Sequence, residues 1–124
     1  IGLDFTARDL QRRQKKLGFP WEISKSFEDS APVGTWIDIA ALKKSVQNLD
    51  LELRINGDVR QKGNTRDMIF PINQLIAHIS RFVSLDPGDI ILTGTPEGVG
   101  PVLPGDVLEA YLEGEKVLEV TVIA

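Results

Sequence analysis

The chain contains no cysteine and only one histidine, one methionine and one tyrosine among its 124 residues. Without thiols there is no disulfide framework and no thiolate metal site, and secretion is not indicated. With His78 the sole imidazole, a metal ion would have to be met by oxygen ligands. Positive charge is also short: 14 Lys and Arg stand against 18 Asp and Glu, a net charge of -4. That balance argues against nucleic acid as a partner, because phosphate binding needs a basic stripe. The one basic run, "RRQKK" at Arg12 to Lys16, reads as a solvated face that complements a helix dipole. No apolar run approaches the ~20 residues that cross a bilayer, and no leader-like segment precedes the first strand-like one. The expectation is a soluble cytoplasmic protein with no membrane partner.

What is present is ordinary for a globular chain, with 42% hydrophobic and 26% charged residues, enough for one small domain with a modest core. The chain opens directly in "IGLDFT", a strand-like stretch with no initiator Met and no polar lead, as a cut inside a domain would. "TARDLQRRQKKLGFP" reads as a helix, with Thr6 as N-cap, Asp9 three residues on, and Gly18 and Pro20 as stop signals. "LDLELRINGDVRQ" alternates Leu49, Leu51, Leu53 and Ile55 with Asp50, Glu52 and Arg54, the period of a half-buried strand. Asn56-Gly57 after it is a hairpin signal. "PINQLIAHISRFVSL" repeats Ile72, Leu75, Ile76, Ile79, Phe82 and Val83 at helical spacing, an amphipathic helix expected to lay its stripe on the sheet. Three strands are expected in "PGDIILTGTP", "PGDVLEAYLE" and "KVLEVTVIA". The repeated Pro-Gly-Asp at Pro87 and Pro104 reads as turn chemistry rather than an internal repeat.

Residues able to carry chemistry are few. "ILTGTPEGVGP", Ile91 to Pro101, combines three glycines with two threonines, a composition equally suited to a tight turn and to a loop that receives a carboxylate or phosphate. No Gly-Lys-Ser/Thr follows it, which excludes a P-loop. His78 lies at the edge of the second helix's apolar stripe and reads as structural. Lys25 has Trp21 and Phe27 close by in sequence, aromatic neighbours able to desolvate an ammonium. Asp4, Arg8 and Gln11 follow an i, i+4, i+7 spacing and could point into one space if the turn before the helix keeps Asp4 near the axis. A hard divalent cation commonly takes carboxylates plus water, and Asp4 alone would hold one weakly.

Taken together, "LDFTARDLQ", "PWEISKSF", "INGDVRQKGNTRDMIF" and "PGDIILTGTPEGVGP" resemble the fumarylacetoacetate hydrolase family, in particular its acylpyruvate-hydrolase-like branch. The similarity runs in order along the whole chain. The resemblance implies an α+β, mainly β fold, a mixed β-sheet roll with flanking helices, and residues 1–124 as the C-terminal part of the catalytic domain. It implies one Mg²⁺ or Mn²⁺ ion with Asp4 as a ligand. Arg8 and Gln11 match substrate-contacting positions, Lys25 the active-site lysine and Thr95 the position that binds the substrate carboxylate. Lys25 and Arg8 would then stabilise an enolate. The family's Glu-x-Glu metal ligands and His-Glu pair have no counterpart here, so the chain is expected to be inactive alone. The function expected is cleavage of a carbon–carbon bond in acylpyruvate-type 2,4-dioxo acids. The alternatives are a decarboxylase or isomerase of 2-oxo acids (oxaloacetate or a carboxymethyl-hydroxymuconate derivative) and a non-catalytic binding or scaffold module. Homodimerisation is expected from the resemblance only.

Overall fold

The computed structural model describes residues 1–123. The chain divides into two compact units, Gly2–Val33 and residues 34–123 together with Ile1.

In the smaller unit, the extended lead-in pairs with the segment that closes the unit. Gly2 bridges Val33 in antiparallel sense, and the Leu3 and Phe5 amides donate to Pro32 O at 2.9 Å and Ser30 O at 2.8 Å. The expected first strand is therefore a short run of bridging bonds rather than a regular strand. Helix α1 spans Arg8–Leu17. Its N-cap position is Ala7, with no side-chain cap, which corrects the assignment of Thr6; the Thr6 hydroxyl is engaged by Lys25 instead. Asp9 in the first turn and Lys15 and Lys16 in the last suit the helix dipole. The helix ends as anticipated: Gly18 takes φ +69°, where a Cβ would strain, and the Gly18 and Phe19 amides satisfy Lys15 O and Gln14 O.

The larger unit is built on a four-stranded sheet of order β2-β1-β3-β4, from β1 Asp50–Ile55, β2 Asp58–Asn64, β3 Val107–Leu112 and β4 Glu115–Thr121. Every pairing within it is antiparallel. The Asn56-Gly57 turn joins β1 to β2 with both residues at positive φ, as its sequence requires, and Glu113-Gly114 joins β3 to β4 the same way. The cross-strand register puts Leu51, Leu53, Leu108, Ala110, Leu118 and Val120 on one face. Leu49, Leu108 and Ala110 are the buried apolar residues of this face. Glu52, Arg54, Glu109, Tyr111 and Lys116 share the other face.

Both Pro-Gly-Asp triplets form the same turn. The Asp89 and Asp106 amides donate to Asp86 O and Leu103 O, each aspartate carboxylate accepts from the amide three residues earlier, and Gly88 and Gly105 carry positive φ. Two other expectations are corrected. Residues 86–104 contain no strand; "IILT" has strand composition, but a strand forms only where a neighbour offers its ladder, and none pairs here among the described residues. Helix α2 covers only Ile72–Ile79, and its stripe does not lie on the sheet: Phe82 is 73% exposed and Ile76 and Val83 are exposed as well. Helical periodicity marks a face that would gain from cover without saying what covers it. The helix is held at its start, where the Ile72 backbone amide donates to Gln47 Oε1 at 2.9 Å while Gln47 Nε2 donates to Thr65 O.

Candidate functional site

The smaller unit places Lys25 against Asp4 through backbone bonds. The amides flanking Asp4, those of Leu3 and Phe5, are tied to residues 30–32, and the Ala7 amide donates to Ser24 O at 2.9 Å. Ser24 is fully buried at the end of a 3₁₀ turn, Glu22–Ser24, and its hydroxyl donates to Trp21 O. Lys25 follows directly, its amide bonded to Glu22 O. The lysine is thus carried to the lead-in by a turn that the lead-in itself fastens.

The result is an ion pair across 21 residues of sequence: Lys25 Nζ lies 2.5 Å from Asp4 Oδ2 and 2.9 Å from Thr6 Oγ1. An ammonium has three N–H donors, so one is left over among the described residues. The Asp4 and Lys25 side chains are 42% and 34% exposed, open enough for solution to reach them. On α1, Arg8 Nη1 donates to Gln11 Oε1 at 3.2 Å, and Gln11 is buried. Arg8 and Gln11 are therefore brought together by the i, i+3 spacing of the helix, while the hydrogen-bond partner of Asp4 is Lys25. The cation stacked over the Trp21 ring is Lys15, 4.4 Å from its centroid.

An aspartate oxygen is the right chemistry for Mg²⁺ or Mn²⁺, and Asp4 can supply one ligand. The set stops there. Among the described residues no group of three His, Asp or Glu could hold a metal ion.

In the larger unit, Thr95 is exposed, and its hydroxyl accepts a hydrogen bond from Gln61 Nε2 at 2.8 Å. The same nitrogen donates to Pro96 O at 2.7 Å. Part of the glycine content of this loop is explained by its seat on β2: a Cβ on Gly98 would strike the Arg60 carbonyl, and Gly63 leaves room for Pro96. His78 is exposed and tilts against Phe82, with ring centroids 5.3 Å apart.

Two participants escaped the sequence reading. Thr6 stands two residues from Asp4, which in an extended segment puts both on one side, so the signal existed. Gln61 had none, because its direction depends on a β-bulge. A concavity of 510 Å³ on the polar sheet face, lined by Lys44, Asp50, Glu52, Arg54, Lys62 and Tyr111 among others, includes none of Asp4, Arg8, Gln11, Lys25 and Thr95. Its charges pair with one another.

Residues 1–123 match the family model described as fumarylacetoacetate (FAA) hydrolase C-terminal. Oxaloacetate tautomerase YcgM of Escherichia coli (strain K12) is 46% identical over 114 residues, which is 92% of this chain and 52% of that protein. The fumarylpyruvate hydrolase from Pseudomonas aeruginosa, solved in complex with Mn²⁺ and pyruvate, superposes with a TM-score of 0.90 at 38% identity, covering 98% of this chain and 52% of that one. The 5-carboxymethyl-2-hydroxymuconate delta-isomerase from Mycobacterium smegmatis gives a TM-score of 0.82 at 37% identity, over 95% and 44%. The chain spans about half the length of the curated relatives it matches. No helix among the described residues is long and apolar enough to cross a membrane.

Proposed function

The chain belongs to the fumarylacetoacetate hydrolase family, and we propose that it supplies part of an active site that stabilises the enolate of a 2-oxo acid. The observation that carries this reading is the Lys25–Asp4 pair, 2.5 Å apart across 21 residues. An ammonium held beside a potential metal-ligand carboxylate, with an N–H to spare, can meet negative charge as it develops on a neighbouring oxygen. Arg8, steadied by Gln11, adds a second cation. Thr95 is proposed to take the substrate carboxylate. Asp4 would give one ligand to a Mg²⁺ or Mn²⁺ ion, whose remaining ligands lie outside these residues. When bound, such an ion would act as a Lewis acid toward the 2-oxo group.

Two reactions share the enolate. Cleavage of an acylpyruvate-type 2,4-dioxo acid breaks the C3–C4 bond after water adds at C4, releasing a carboxylic acid and the pyruvate enolate, which then takes a proton at C3. Keto–enol exchange of oxaloacetate needs only the transfer of a proton between C3 and the 2-oxo oxygen, with no C–C bond broken. The oxaloacetate tautomerase at 46% identity and the fumarylpyruvate hydrolase at 38% support the shared enolate step rather than one of the two reactions. The test is a metal-dependent screen of the complete enzyme against acetylpyruvate, fumarylpyruvate and oxaloacetate. Oxaloacetate exchange without C–C cleavage selects the tautomerase reading, and pyruvate release from the dioxo acids selects the hydrolase. No turnover of any of the three, in protein that binds Mn²⁺, leaves a binding or scaffold module.

A further inference from the structure

The residue that joins the "TGTP" loop to the sheet has no part in the function proposed above, and its geometry is specific. Gln61 lies on β2 beside a bulge: Leu53 pairs with Gln61 and Arg54 with Val59, leaving Arg60 as the extra residue. In a regular strand residues 59 and 61 would share a face. The bulge breaks that parity and turns Gln61 to the side of Leu53, away from the charged side of Arg54. There its amide reaches three acceptors, Thr95 Oγ1 at 2.8 Å, Pro96 O at 2.7 Å and, more weakly, Glu97 O at 3.4 Å.

Donor counting fixes what this does to Thr95. Carbonyl oxygens can only accept, so the atom facing Pro96 must be the amide nitrogen rather than its oxygen. One of its two hydrogens goes to Pro96 O, and the other goes to Thr95 Oγ1, which therefore accepts. The hydroxyl's own proton is left over, and Thr95 Oγ1 donates to nothing among the described residues. The backbone amides of Gly94, Thr95 and Glu97 donate no hydrogen bond among them either. A hydroxyl that is a fixed acceptor on one side and a free donor on the other, with unclaimed amides beside it, is arranged for an anion.

We infer that Gln61 is a positioning residue, which holds the Thr95 hydroxyl as a donor toward a bound carboxylate and ties back the carbonyls of the same loop. The inference rests on the proposed function, in which Thr95 receives the substrate carboxylate. Gln61 touches no reacting atom. It acts through Thr95, so its loss should change binding of the carboxylate rather than the chemical step.

The experiment uses the complete, Mn²⁺-loaded enzyme and pyruvate as the probe, with Kd read by calorimetry and kcat and KM read beside it. Gln61→Glu is close to isosteric, but its carboxylate cannot donate to Pro96 O and would itself capture the Thr95 proton. That variant and Thr95→Val should each weaken pyruvate by about tenfold or more, the scale of losing one hydrogen bond to a charged group. The double variant should be no weaker than Thr95→Val alone, and in Gln61→Leu the loss should fall on KM rather than on kcat. Gln61→Leu, which removes the donor without adding charge, should behave as Gln61→Glu does in pyruvate Kd. Losses that add in the double variant, or full pyruvate affinity in both Gln61 variants while Thr95→Val has lost it, would overturn the inference and leave the proposed function standing. Full affinity in Thr95→Val overturns both.

Discussion

On the polar face of the sheet Glu52 takes Arg54 at 2.7 Å and Lys62 at 3.5 Å, Lys116 bridges Glu109 and Glu119, and Lys44 reaches Glu113 and Asp50. At the entry to α1, among the described residues Asp4 pairs with Lys25 alone, and Lys25 keeps a donor that none of them takes. The first region holds more charge, and it contains the 510 Å³ concavity. It is nonetheless the less promising place for a ligand, since each charge is already answered. Arg54 holds the Glu52 carboxyl below the usual glutamate range and is itself pushed up. Lys44 does the same to Glu113, and the Asn64 amide draws Asp50 down. Density of charge marks a solvated, self-matched surface, whereas a site shows as capacity left over.

The contrast between the two regions is tested most sharply by removing one cation or its counterpart from each. In the complete enzyme Lys25→Met should lower kcat by about a hundredfold or more, the scale of losing a preorganised charge aimed at the transition state. Glu52→Gln, which frees Arg54 and Lys62 of their partner, should leave kcat within about threefold of wild type. Steady-state turnover under saturating metal decides it. Equal losses in the two variants would mean that the polar face participates and that pairing is a poor guide.

A smaller effect is expected in metal binding by the 124-residue chain. One carboxylate among waters cannot match a multi-carboxylate site, so Mn²⁺ titrated into the chain should bind only in the millimolar range and lose that binding in Asp4→Asn. Lys25→Met should tighten it by up to about tenfold, because the ammonium that now occupies Asp4 Oδ2 opposes a second cation there. Micromolar affinity in the wild-type chain, abolished by Asp4→Asn, would show a complete site on these residues alone. Weaker binding in Lys25→Met would show that the lysine organises the carboxylate instead of competing for it.

How far the sequence foretold all this depends on the range of the interaction. Local rules held where backbone chemistry decides: Asn56-Gly57, Gly18 and both Pro-Gly-Asp triplets do what their conformational preferences require. Alternation found β1, and apolar runs between turn signals found the strands on either side of Glu113-Gly114. The same apolar composition misled at Ile90–Thr95, where it has no strand partner among the described residues, and helical spacing overextended α2, whose pattern runs on to Val83 although the regular helix stops at Ile79. Thr6 was given to α1 because nothing in "LDFTARD" reveals a lysine arriving from residue 25. No periodicity links Asp4 to Lys25; only the family resemblance brought them together in advance. The bulge at Arg60, which aims Gln61, is a two-against-one mismatch between strands and has no signature within one of them.

The smallest effect separates the regions by pH. On the sheet face Glu52, Glu109 and Glu113 all titrate below the ordinary 4.5 of a glutamate, held down first by hydrogen bonds from Arg54, Lys116 and Lys44 respectively. A carboxylate whose folded value is depressed adds stability that is complete above its unfolded value and disappears as pH falls through the folded one. Lys44 and Lys116 are raised above 10.5, so their share is present throughout the neutral range and fades only in strong alkali. The melting temperature of the chain should therefore be flat from about pH 6 to 9 and decline below about pH 4.5. Because these groups stand in solvent, the decline should be shallow, and 1 M salt, with a screening length of about 3 Å, should reduce it further. Glu109→Gln should remove part of the acid slope while moving the neutral melting temperature by no more than about 2 °C. A melting temperature that rises between pH 6 and pH 4 would mean that the paired face strains the fold, and that its charges are kept for something other than one another.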